Sequence, residues 1–145
     1  MDPLPLLRRA TPSLRPLLKV LMTATDLGFL AYWAVTGLHL LPGEWLFKDH
    51  ANPILQAWNW SFLPLDLAIS GTGLGALWLV RKGDPRGLPL ALVSLAFTVC
   101  SGLMAVAFWT LRRDFEVAWW LPNLFLLLYP LPFFPRLVRE TSGRL

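Results

Sequence analysis

Four long apolar stretches, separated by short clusters of charge, set the pattern of this chain. The first runs from Leu17 to Leu41, with Lys19 and Asp26 as its charged residues. The second, Trp60 to Val80, carries one charge, Asp66; the third, Leu88 to Leu111, and the fourth, Val117 to Pro135, carry none. A hydrocarbon core about 30 Å thick is crossed by roughly 20 helical residues, with a range of about 17–25, so each stretch is long enough to span it. Buried helices of a water-soluble protein are the competing reading, but no amphipathic helix is present to cover them. The pattern predicts an all-α, polytopic integral membrane four-helix bundle. It is expected as a single transmembrane domain over residues 1–145, with helices at about 17–41, 60–80, 88–111 and 117–135 and an outer interfacial loop at 42–58.

The placement of lysine and arginine orients these spans. Arg8, Arg9, Arg15 and Lys19 precede or open the first; Arg81, Lys82 and Arg86 lie between the second and third; Arg136, Arg139 and Arg144 follow the fourth. These segments hold 10 of the 13 basic residues, leaving Lys48, Arg112 and Arg113 for the opposite side. Positive residues favour the cytoplasmic face, so both termini are expected in the cytoplasm. The net charge of +4 is accounted for by this flanking pattern and an anionic leaflet, and no nucleic-acid partner is expected.

Composition strengthens the membrane reading and removes other classes. Hydrophobic residues make up 55% of the chain and charged residues 15%, too little polar surface for a water-soluble globule and too much apolar surface for disorder. Eight tryptophans suit a protein that meets the membrane–water boundary. The single cysteine, Cys100, excludes an internal disulfide and a cysteine-rich metal site. A secretory signal is not expected, because the first apolar run is too long and no small-x-small cleavage site follows it. Met1 to Pro16, mixing leucines, arginines and prolines, reads as an interfacial lead-in.

Candidate chemistry comes from residues that are costly in lipid. At 1.5 Å per residue, Asp26 lies about 13 Å into the first helix, and Asp66 lies about 21 Å from the cytoplasmic end of the second. A central aspartate costs about 2.5–3.5 kcal/mol even on mild insertion scales, so both should face protein or water. Asp66 and Asp26 are therefore the candidate catalytic acids, with helix packing as the alternative role for each. In the second helix Asn59, Asp66, Ser70 and Gly73 recur at 7, 4 and 3 residues, on one face. Gly71 and Gly75 form a small-residue pair suited to close helix approach. In the third helix Ser94, Thr98 and Ser101 make a second polar stripe, which either faces Asp66 or lets helices pack closely. Asn59, Trp58, Trp60, Trp33 and Ser70 are the expected ligand contacts. Pro130, Pro132 and Pro135 should kink or end the fourth helix in its cytoplasmic half.

The loop Pro42 to Trp58 combines Trp45, Phe47, Ile54, Leu55 and Trp58 with Glu44, Asp49, His50 and Asn52, and reads as an interfacial segment over the bundle. Its histidine, and His39 just before it, lack the spacings of a metal site, so neither a metal nor a cofactor is expected. Cys100 has no neighbouring histidine in sequence, and no nucleophile elbow or phosphate-binding glycine loop occurs.

Particular strings carry a family resemblance: Asp26-Leu27-Gly28-Phe29 with Tyr32-Trp33, Leu46-Phe47-Lys48-Asp49, Asn52-Pro53, and Trp58-Asn59-Trp60-Ser61-Phe62-Leu63-Pro64-Leu65-Asp66. On these the chain resembles the YvaD-type family of small bacterial membrane proteins, clearly over about residues 17–80 and by hydropathy beyond them. The resemblance implies four helices and a bacterial cytoplasmic (inner) membrane, and brings no activity with it.

Three functions are open at this point. One is a site around Asp66, Asn59 and Asp26 that binds or transforms an apolar lipid- or isoprenoid-like ligand, with a protonated aspartate as general acid. Asn59 and Asp66 on a tryptophan-rich helix are similar to the intramembrane site of fungal terpene cyclases, whose helix count and chain length differ. The second is a small proton-coupled transporter, similar in plan to the small multidrug resistance proteins, although the charge bias opposes their dual topology. The third is an accessory subunit without chemistry of its own, acting through a homo-oligomer or a membrane partner protein.

Overall fold

Prolines mark where most of the helices begin. A proline at the first helical position has no N–H to leave unsatisfied, and its fixed φ suits the helix. In the computed structural model, which describes residues 12–143, helix α1 spans Pro16–Gly37 and opens on such a residue. Helix α3 spans Pro53–Ser61, where the Asn52 side chain caps the first turn by accepting from the amides of Ile54 (2.9 Å) and Leu55 (3.4 Å). Between them lies the single-turn helix α2, Gly43–Leu46. Helix α4 spans Leu63–Arg81, α5 Gly87–Leu111, α6 Val117–Leu128 and α7 Phe134–Ser142, the last two joined through a 3-10 turn at Leu131–Phe133. Arg8, Arg9 and Arg144, and residues 1–11 of the expected lead-in, lie outside the described residues.

Four helical stretches are long and apolar enough to cross a membrane: Pro16–Gly37, Pro53–Arg81, Gly87–Leu111 and Val117–Ser142. The chain is an all-helical, multi-pass membrane-type protein. The first helix stops short of the end of its apolar run because His39 takes the left-handed conformation (φ 52°), a common way to terminate a helix. The second stretch begins at Pro53, so the last third of the segment 42–58 is already helical and continues toward α4. The late prolines of the fourth stretch divide it at Leu128 and resume it at Phe134.

Helix α4 is central: it packs on α5 and on α1, while α5 also packs on α6 and α7. The pair α4–α5 is therefore flanked by α1 on one side and α6 on the other. At one end, Leu14, Leu18 and Met22 meet Ala76 and Val80, Leu88, Ala91 and Leu95, and Leu137, in a closed apolar core. That end carries Arg15, Lys19, Arg81, Lys82, Arg86, Arg136 and Arg139. At the opposite end, Lys48 pairs with Asp114 (2.7 Å) and Glu116 (2.6 Å), and Arg112 with Asp49 (3.1 Å). These ion pairs tie the segment after α2 to the turn between α5 and α6. Exposed pairs of this kind contribute little each, but here they bridge distant parts of the chain.

Close approach at two glycines fixes the spacing of the helices. A Cβ on Gly73 of α4 would collide with the Asp26 carboxylate of α1. A Cβ on Gly102 of α5 would lie 2.5 Å from the Leu127 amide nitrogen and 2.7 Å from the Asn123 carbonyl oxygen of α6. Only glycine permits this contact between backbones.

Candidate functional site

Asp66 occupies the first turn of α4, just after Phe62, where α3 hands over to α4. It is 4% exposed. The indole N–H of Trp33 donates to its Oδ2 at 2.9 Å, and the Ser101 hydroxyl donates to its Oδ1 at 3.3 Å. Three elements, α1, α4 and α5, thus meet at one carboxylate. Beside it, the Tyr32 hydroxyl donates to Asn59 Oδ1 at 2.9 Å. The Asn59 amide nitrogen is buried and has no hydrogen-bond partner. A buried donor in that state is costly unless something else accepts from it.

These groups line a cavity of about 340 Å³ between α1 and α6, over the α4–α5 pair. Its walls are mainly apolar and aromatic, with Phe29, Trp58, Phe62, Trp109 and Trp119 among them, and Phe47 and Lys48 stand at the ion-paired end. The polar groups at its surface include Asp66, Asn59, Tyr32, Ser101 and Asn123. Pro122, also on the wall, has no N–H to give to the carbonyl of Ala118, one turn earlier and likewise on the wall. The site therefore offers an ionisable acceptor and an unpaired amide donor against a broad apolar surface. That is the usual make-up of a small-molecule pocket: apolar walls with a few placed polar groups.

Aromatic packing holds the walls. Trp58 stacks on Phe108 with ring centroids 4.1 Å apart, and Trp109 on Trp119 at 6.2 Å. The guanidinium of Arg112 lies 5.6 Å from the Trp109 ring centre. At the mouth, the hydrogen bond from Lys48 holds the Asp114 carboxyl below the usual aspartate range, and the same bond raises Lys48.

Asp26 stands apart from this cavity. It is 1% exposed, on α1 against Gly73, and its Oδ2 has no hydrogen-bond partner. The backbone carbonyl of Asp26 accepts from the Ser70 hydroxyl at 3.0 Å, and Ser94 of α5 donates to the Ile69 carbonyl at 3.2 Å. Of the residues singled out from the sequence, Asp66, Asn59, Trp58 and Trp33 come together on the cavity wall. Asp26 and Ser70 lie together in the helix interface, and Trp60 packs on Trp33 (centroids 5.3 Å apart) and borders a second, smaller cavity with His39 and His50. Tyr32, Phe47, Trp109, Trp119 and Asn123 also line the cavity and were not among the expected ligand contacts. Trp109 did carry a signal, since it continues the spacing Ser94, Thr98, Ser101, Ala105 along one face of α5.

The chain matches, over residues 18–144, the family described as "Family of unknown function (DUF5360)". It is 48% identical over 123 residues to "Uncharacterized protein YvaD" of Bacillus subtilis (strain 168), a similarity covering 85% of this chain and 92% of that protein. No solved structure matches it. The strings from Asp26 to Asp66 that carried the resemblance thus lie within a match over most of the sequence, and the chain belongs to this YvaD-containing DUF5360 family.

Proposed function

We propose that the cavity beside Asp66 binds an apolar, lipid- or isoprenoid-like molecule whose polar end is received by Asp66 and Asn59. The observation that carries this reading is the buried Asp66 carboxylate, held from two sides by Trp33 and Ser101, on the wall of an otherwise aromatic space. Unlike Asp26, this carboxylate lines the cavity, where a bound molecule can meet it. The unpartnered Asn59 amide beside it supports a ligand that brings a hydrogen-bond acceptor. Asp66 is the group able to exchange a proton with the bound molecule, as a general acid or base. Asp26, enclosed by α4 at Gly73, is assigned to helix packing.

The protein is proposed to sit in a bacterial cytoplasmic membrane with both termini inside. The basic end of the bundle, against the balanced ion pairs of the other, supports that orientation. The cavity then faces the outer half of the membrane, beneath the segment 42–58.

Native mass spectrometry of gently purified protein tests the site. The wild type should carry an apolar adduct, Ala105→Phe should exclude it by filling the cavity, and Asp66→Asn should weaken its retention. Equal retention by all three proteins, or none by the wild type, would overturn the reading.

A further inference from the structure

At the basic end a further concave surface lies outside everything described for the Asp66 site. It is a groove of about 550 Å³ between the start of α1 and the end of the fourth span. Much of its lining is apolar, from Leu17 and Leu21 on α1 and from Pro132, Phe133 and Pro135. The rest of the lining is Arg15, Arg136, Arg139 and Tyr129.

We propose that this groove seats an anionic phospholipid of the surrounding leaflet, its phosphate held by the arginines and its acyl chains laid over Leu17 and Leu21. Charge complementarity is the first argument. Glu140 pairs with Arg136 and Asp84 with Arg86; among the described residues, Arg15 and Arg139 pair with no acid. The guanidinium of Arg139 is steadied by its Nε donating to the Pro135 carbonyl at 3.2 Å, which leaves its terminal nitrogens available. Planar guanidinium groups bind phosphate oxygens in pairs, with a strength and direction that a lysine ammonium lacks.

Position is the second argument. Arg15 immediately precedes one apolar span, and Arg136 and Arg139 lie in the last turns of another, so all three sit where a lipid phosphate lies. Leu17, 61% exposed, and the half-buried Leu21 continue the groove toward the apolar core of the membrane. A free phosphate would use the arginines and leave this apolar surface empty. A phospholipid uses both. The inference stands independently of the cavity at Asp66.

The test uses the full chain in nanodiscs of equimolar phosphatidylglycerol and phosphatidylcholine, released for native mass spectrometry. The wild type should retain phosphatidylglycerol preferentially, and Arg15→Gln with Arg139→Gln should reduce that preference roughly thirtyfold. Lys82→Gln with Arg86→Gln, at the same end but outside the groove, should leave it unchanged. No preference in the wild type, or an equal fall in the control pair, would overturn the proposal. Millimolar inorganic phosphate displacing the lipid would also overturn it, by showing a plain anion site. Unchanged circular dichroism of the exposed Arg15 and Arg139 variants separates loss of binding from loss of fold.

Discussion

Trp33 and Asp66, separated by 33 positions in sequence, are joined by an indole-to-carboxylate hydrogen bond of 2.9 Å in the buried interior. A bond to a charged group contributes more than a neutral one, and leaving the acceptor buried without it carries the desolvation cost as well. Trp33→Phe is therefore expected to destabilise the protein by about 1.5–3 kcal/mol in a detergent unfolding titration. Asp66→Asn in the same background should cost much less than it does alone, because the two changes remove one interaction. Additive effects would show that the bond does not couple α1 to α4.

Two glycines in α4 should respond in opposite ways. Nothing lies within 4 Å of a Cβ built on Gly71, whereas one on Gly73 runs into the Asp26 carboxylate. Gly71→Ala should be neutral or stabilising by up to about 1 kcal/mol, through helix propensity. Gly73→Ala should cost about 1–3 kcal/mol by overpacking. Thermal unfolding in a mild detergent compares them, and equal effects would contradict the close approach of α1 and α4.

The Lys48–Asp114 pair sets a pH window for the outer segment. Asp114 is lowered by its hydrogen bond from Lys48, so its contribution is present above the ordinary aspartate value, about 3.9, and is lost as pH falls through the lower folded value. Lys48 is raised, so its part is present below about 10.4 and is lost as pH rises through the higher folded value. Limited proteolysis between residues 38 and 52 should thus be slow across neutral pH and speed up at both extremes. Rapid cleavage at neutral pH would show that the pair does not hold the segment.

Topology can be read by labelling. In a Cys100→Ala background, a cysteine placed at Glu44 or Gln56 should react with an impermeant maleimide from outside intact cells, and one at Lys82 only after permeabilisation. The reverse pattern would invert the proposed orientation.

The spans were legible because run length and flanking charge are one-dimensional signals. The start of the second was not. Asn52-Pro53 is a helix start, yet Gln56 and Asn59 break the apolar run that follows it, and what Asn59 does there shows only in its bond from Tyr32 of another helix. Asp66, Asn59 and Trp33 were recoverable from spacing and cost in lipid, and Trp58 from its place among the interfacial aromatics. That Asp26 belongs to a separate interface was not, since the rotation of α1 depends on Gly73, a residue of another helix. The contribution of Trp119 and Asn123 from α6 depends likewise on where Gly102 lets that helix settle.

Gly102 is absent from the cavity lining, yet it governs how wide the cavity is. Trp119, Pro122, Asn123 and Leu126 form one wall, and the helix bearing them rests backbone to backbone on Gly102. Any side chain there acts as a shim, moving the whole wall outward without altering a single group that meets the contents. Relatives that share the same lining can therefore differ in the bulk they admit through the residue at this one position.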